Sequence, residues 1–89
     1  MHRGTLVELT ALCANFDPAL TIYAAQPWSP LARAVAAMEP DDGSVPEAAM
    51  VEGCRYFLEV SIVNQVLRGW HGSELAACHR LIRYAANDA

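Results

Sequence analysis

The chain has 89 residues and a formal net charge of −4, and 54% of its residues are hydrophobic while 18% are charged. This length predicts a single domain over residues 1–89 with a thin core, and the composition excludes a disordered chain. The six basic residues are all arginines and form no cluster, so nucleic-acid binding is not expected. Because little charge is left for the surface, we expect a homo-oligomer or a complex with another protein to cover apolar area.

The cysteines and the amino terminus indicate the cellular compartment of the protein. Three cysteines are widely spaced and odd in number, which is not typical of a secreted disulfide framework. The amino terminus leads into an amphipathic segment without the apolar core of a signal peptide. No apolar run between charges is long enough to span a bilayer, so no membrane interaction is expected. These features predict a cytoplasmic protein.

The first predicted element is a helix over residues 5–16. Thr5 and Glu8 have the spacing of a capping box, in which each side chain accepts a hydrogen bond from the other residue's backbone amide. Apolar residues then recur on one helical face as far as Phe16. Asp17 and Pro18 end the helix, because proline cannot continue it and restricts the residue before it.

Two strands are expected to follow this helix. Residues 20–24 alternate and are rich in β-branched and aromatic types, which is typical of a strand. Residues 31–38 have two interpretations, a short helix capped by Ser29 and opened by Pro30, or a second strand. An isolated strand leaves its backbone polar groups unpaired, so we choose the strand, which completes an antiparallel hairpin.

The second half of the chain favours helices. An acidic turn precedes a short helix over residues 46–52, which Gly53 caps or kinks. Residues 60–70 are amphipathic, whereas residues 56–60 are apolar all round, so a strand is possible there; we favour one helix over 56–70. Ser73 caps a last helix over residues 73–86. The residues expected to face inward on that helix are Leu75, Cys78, His79, Ile82, Ala85 and Ala86.

The fold class that follows from these elements is α+β. We expect about three α-helices packed on a small antiparallel β-hairpin or sheet.

Glu59 lies in the most apolar part of the chain and has two interpretations. As a functional group it is a partly buried acid with a raised pKa, with Arg55 one helical turn before it. As a structural group it forms an ion pair with Arg55 at the rim of the core, or with an arginine across a dimer. Structural ion pairs outnumber catalytic ones, so the ion pair is the favoured interpretation.

A ligand pocket is a further hypothesis, because aromatic side chains from the hairpin and the helices can line a small cavity. No cofactor or metal site is expected, since closely spaced pairs of cysteine or histidine are missing. No catalytic residue is assigned, since no nucleophile has a base that the sequence makes evident. The residues assigned to ligand binding are Glu59, Arg55, His79, Tyr23, Trp28 and Tyr56.

Three segments beyond residue 20 carry a resemblance. They are TIYA followed by PW within residues 21–28, YFLEV at 56–60, and LIRYAANDA at 81–89. In order and spacing they resemble a family of small bacterial proteins of unknown function. The resemblance implies no activity. It favours the strand over residues 31–38, and it implies that Asn87, Asp88 and Ala89 form the end of the domain.

The sequence therefore predicts a non-enzymatic protein-interaction module. Such a module associates with itself or binds a partner in the manner of an immunity protein or an antitoxin. The alternative is a small-molecule-binding protein or a minor enzyme that uses a partly buried Glu59 together with Arg55 and His79.

Overall fold

A computed structural model describes residues 1–88 and confirms the α+β class. The sheet has four strands in the order β1-β3-β2-β4, and every neighbouring pair is antiparallel. The elements in chain order are β1 (His2–Thr5), α1 (Leu6–Leu12), a 3-10 helix (Cys13–Asn15), β2 (Leu20–Ala25), β3 (Arg33–Met38), α2 (Glu47–Val51), β4 (Cys54–Glu59), α3 (Val60–Val66) and α4 (Glu74–Asp88).

The start of α1 confirms the predicted capping box. The Glu8 amide donates to Thr5 Oγ1 at 3.3 Å, and the Thr5 amide donates to Glu8 Oε1 at 2.8 Å. The α-helix ends at Leu12 and tightens into the 3-10 helix, which reaches Asn15. The predicted end at residue 16 is therefore one residue late, close to the Asp17 and Pro18 stop.

The hairpin of β2 and β3 is confirmed, and with it the choice of a strand rather than a helix for residues 31–38. Its register places Ile22 opposite Ala36. A further strand, β1, was not predicted and pairs with the other side of β3. β1 shows no apolar alternation because its side chains are exposed or half-buried at the sheet edge. His2 instead stacks on Phe16, with ring centroids 4.1 Å apart.

The single helix predicted over residues 56–70 is wrong in its first part, which is strand β4. Ile22 lies opposite Leu58 and Tyr23 lies opposite Tyr56, so Phe57 is an extra residue that forms a bulge. The bulge lets both Phe57 and Leu58 enter the main core, which explains why this segment is apolar all round. α3 begins only at Val60 and ends at Val66, before the predicted end at residue 70.

The two faces of the sheet bury separate clusters. The helix face, covered by α1, α3 and α4, holds the larger cluster, and the alanines of β2 and β3 let the helices approach closely. The opposite face is covered by α2 and the turn before it. Its buried residues are Tyr23, Val35, Ala37, Ala49 and Cys54.

α4 begins after Ser73 as predicted, since the Ala76 amide donates to Ser73 Oγ at 3.1 Å. Its buried face is rotated relative to the prediction: Leu75, His79 and Ala86 are exposed. The predicted domain end at residues 87–89 falls partly outside the described residues. The residues of α4 that are buried are Ala77, Cys78, Leu81 and Ala85, with Ile82 half-buried.

The Thr5 hydroxyl is expected to stabilise the start of α1. Thr5→Ala leaves the Glu8 amide without its acceptor, so the free energy of unfolding is expected to fall by about 1 kcal/mol. Thr5→Ser keeps a hydroxyl at the cap and serves as the matched control. Urea denaturation followed by circular dichroism measures both, and equal stability of the two variants would contradict the capping role.

Candidate functional site

Glu59 is the last residue of β4 and the residue that precedes α3. Its side chain is exposed, so the expectation of a partly buried acid is wrong. The reason is the switch from strand to helix at Val60: Val60 turns into the core, and Glu59 stays on the opposite face, where its backbone pairs with Thr21. Its side chain makes no hydrogen bond to the first amides of α3.

Arg55 and His79 are also exposed and lie apart from Glu59 in the fold. Arg55 pairs with Ala24 of the helix face, whereas Glu59 pairs on the opposite face, because the bulge at Phe57 reverses the alternation between them. The expected Arg55–Glu59 ion pair is therefore not formed. The ion pairs found within residues 1–88 join Glu52 to Arg33 at 3.2 Å and to Arg3 at 3.9 Å.

The aromatic residues of the predicted pocket lie on different surfaces. Tyr23 is buried beneath α2, whereas Trp28 packs from the helix face edge-on against Phe57, with ring centroids 4.9 Å apart. Tyr56 lies opposite Tyr23 on the neighbouring strand and is 45% exposed. The six residues predicted for ligand binding therefore do not surround a single cavity.

Tyr23 carries a buried polar atom. Its Oη forms no hydrogen bond of acceptable geometry with a described residue. Burial and the nearby charge of Glu39 raise the pKa of the phenol, and the Thr21 hydroxyl on the same face acts in the opposite direction. The phenol is thus neutral at pH 7 and packs in the small cluster on the opposite face.

The three cysteines are free, buried and held as thiols. Burial raises the pKa of Cys13 to about 12 and also raises the pKa values of Cys54 and Cys78. Because the thiolate is the reactive form, these side chains behave as small core residues. Within residues 1–88 there is also no group of three or more potential ligands that could hold a metal ion.

A cleft opens where α1 meets the end of α3 and the start of α4, and we call it the three-helix cleft. Its volume is about 410 Å³, within the range of small-molecule sites. Trp70 and Glu74 stand at its rim, and Asn64 reaches across to donate from Nδ2 to the Cys13 carbonyl at 3.3 Å. The lining residues are Thr10, Ala11, Ala14, Asn64, Leu67, Trp70, Gly72, Glu74 and Ala77.

This cleft is not among the sites that the sequence predicts. One signal is available in the sequence: Ala11 on α1 and Ala14 in the 3-10 helix that follows are three residues apart and both exposed, so small residues mark a hollow on this segment. The sequence predicts Trp70 at the end of a continuous helix, but Trp70 lies in the loop after Gly69, which has a φ of 75°. Gly69 ends the turn that follows α3, and its left-handed backbone redirects the chain toward Trp70.

A second surface feature lies on and beside the edge strand β4. Met50, Val51 and Tyr56 are 62%, 78% and 45% exposed, and we call them the α2–β4 patch. Met50 lines a hollow of about 420 Å³ together with Cys54 and Arg55, which places the end of α2 against β4. Apolar side chains thus adjoin a strand that has a neighbour on one side only.

Comparisons with models of protein families, with curated proteins and with solved structures find no match. The resemblance to small bacterial proteins therefore stays a prediction. No helix within residues 1–88 is both long and apolar enough to cross a membrane.

Tyr23 provides a test of its structural role. Because a buried hydroxyl without a partner costs about 1–3 kcal/mol, Tyr23→Phe is expected to leave the free energy of unfolding unchanged or to raise it. Tyr84→Phe, at an exposed tyrosine of α4, is the control and is expected to change little. Thermal denaturation measures both variants. A clear loss of stability in Tyr23→Phe would show that the hydroxyl is satisfied in solution.

Thiol reactivity tests the burial of the cysteines. Raised pKa values and exclusion of solvent leave almost no accessible thiolate at neutral pH, so a disulfide reagent is expected to react slowly with the native protein. After unfolding in guanidinium, all three thiols are expected to react at once. Rapid modification of one thiol under native conditions would contradict the packing described for it.

Proposed function

We propose that this chain is a non-enzymatic protein-interaction module whose first partner is a second copy of itself, bound along the open edge of β4. The observation that carries the proposal is the sheet order. β4 pairs with β2 alone among the described strands, so its outer side offers unpaired backbone groups to another strand. Such an edge is a template for pairing between chains.

The charges of β4 favour an antiparallel pair of identical edges. Arg55 lies near the start of the strand and Glu59 at its end, and both are exposed. Arg55 and Glu59 lie on opposite faces of β4, so antiparallel alignment keeps the two Arg55 side chains apart at opposite ends of the pair and does the same for the two Glu59 side chains, whereas parallel alignment places like charges side by side on the same face. The two-fold symmetric arrangement is also the commonest among homo-oligomers.

The α2–β4 patch supplies apolar area next to this edge. Met50 lines the hollow next to β4, and Val51 is the last residue of α2, three positions before the strand begins, so we expect a neighbouring chain on β4 to cover them. The bulge at Phe57 interrupts the regular edge, which limits pairing to a short segment. A limited pair of strands flanked by apolar side chains fits a dimer better than an open-ended assembly.

A non-enzymatic role is supported by the state of the nucleophiles. The cysteines are buried and their pKa values are raised, so they are poorly suited to attack a substrate. Free, buried cysteines also fit a reducing compartment, and we therefore propose a cytoplasmic location. The immunity-like or antitoxin-like form of this role stays a prediction.

The alternative function uses Glu59, Arg55 and His79 on a small molecule. The three side chains are exposed and no described cavity brings them together. The geometry therefore favours the interaction module over this alternative.

Sedimentation equilibrium over a wide concentration range tests the proposal. The unmodified chain is expected to dimerise, and Val51→Lys is expected to weaken the dimer by about tenfold, since it places an ammonium group in an apolar contact. Leu31→Lys is the matched control, because Leu31 is equally exposed at 78% but lies near β1. A monomer at every concentration, or equal weakening by both substitutions, would overturn the proposal.

A further inference from the structure

We propose that the three-helix cleft binds a small organic cation with an apolar body, of the substituted ammonium class. None of the residues that line the cleft belongs to β4 or to the α2–β4 patch, so the inference is independent of the self-association above. It rests on the charge, the hydrogen-bonding groups and the shape of the lining.

The charge of the lining is negative. Glu74 is the one charged residue among those that line the cleft. The chain as a whole has a net charge of −4, which adds to the attraction for a cation and repels an anion. A carboxylate at the rim of a mostly apolar hollow favours a ligand whose positive charge lies next to apolar groups.

Several side-chain donors of the lining are hydrogen-bonded within the chain. Asn64 donates one Nδ2 hydrogen to the Cys13 carbonyl, and its Oδ1 has no partner within residues 1–88 and can act as an acceptor. The Thr10 hydroxyl donates to the Leu6 carbonyl at 2.9 Å, and the Trp70 indole N–H donates to the Ser73 carbonyl at 3.3 Å. The Thr10 hydroxyl and the Trp70 indole N–H are therefore already used within the chain, and the Glu74 carboxylate repels a carboxylate or a phosphate.

The Trp70 ring supplies a face for the cation. The hydrogen bond to Ser73 holds the indole across Gly72, where an added Cβ would lie 2.6 Å from Trp70 Cζ2. Gly72 therefore positions the ring by leaving room for it. An ammonium group over an indole face gains cation–π attraction, and tryptophan is the strongest of the aromatic partners.

The floor of the cleft fits the apolar body of such a ligand. Ala11, Ala14 and Ala77 have small side chains that leave space in the cleft, and Leu67 adds apolar surface to its lining. A ligand with methyl or methylene groups around its charge buries them against these side chains. A strongly hydrated inorganic cation finds no comparable gain there.

Isothermal titration with choline tests the inference, with the uncharged analogue in which carbon replaces the ammonium nitrogen as the paired ligand. The two ligands have nearly the same shape, so a difference in affinity isolates the charge. Choline is expected to bind about three- to fivefold more tightly than the analogue, in line with one partly exposed ion pair and a cation–π contact. Tryptophan fluorescence provides a second readout because Trp70 borders the cleft.

Two substitutions separate charge from shape. Glu74→Gln is expected to weaken choline binding and to leave the analogue unaffected. Gly72→Ala displaces the indole and is expected to weaken both ligands. Glu47→Gln removes an exposed carboxylate from the first turn of another helix, α2, and is the control that corrects for net charge. Circular dichroism of each variant establishes that the fold is retained.

The outcomes are distinct. Selective binding of choline that is lost in Glu74→Gln but kept in Glu47→Gln supports the inference. Equal affinity for choline and its analogue would show an apolar hollow without cation selectivity, and equal effects of the two glutamine substitutions would show only a general attraction to net charge. Either result, or no binding of choline at millimolar concentration, overturns the inference.

Discussion

The fold depends on the pairing of β2 with strands on both of its sides. β2 pairs with β3 on one side and with β4 on the other, and residues on both of its faces are buried. Ile22 and Ala24 belong to the helix-face cluster, whereas Tyr23 belongs to the cluster beneath α2. The two cores share this one layer of backbone, so neither can be packed correctly unless β2 is in register.

The elements that depend on interactions between nearby residues could be predicted from the sequence. The capping box at Thr5 and Glu8 and the cap at Ser73 are short-range, and both could be predicted. The hairpin could be predicted because an unpaired strand at residues 20–24 requires a neighbour. Strand β1 could not, because it is held by pairing with residues about thirty positions away and carries no apolar pattern of its own.

The candidate sites could not be predicted because they depend on contacts between residues far apart in the chain. A helix would place Glu59 among apolar residues, but the segment is a strand in which the bulge at Phe57 lets two consecutive apolar residues enter the core and leaves Glu59 exposed. The three-helix cleft was missed because its shape comes from small side chains on α1 and α4 and from a loop that carries Trp70. A hollow formed by residues far apart in the chain leaves no compact motif.

The close approach of Trp70 to Gly72 has a consequence for how this chain tolerates variation. A side chain at position 72 has no room while the indole of Trp70 lies across it, and the backbone there is not otherwise strained. The two positions are therefore coupled: a larger residue at 72 is accommodated best when residue 70 is small. In a library of double variants, the effects at these positions are expected to be non-additive, and related sequences that lose the glycine are expected to lose the tryptophan as well.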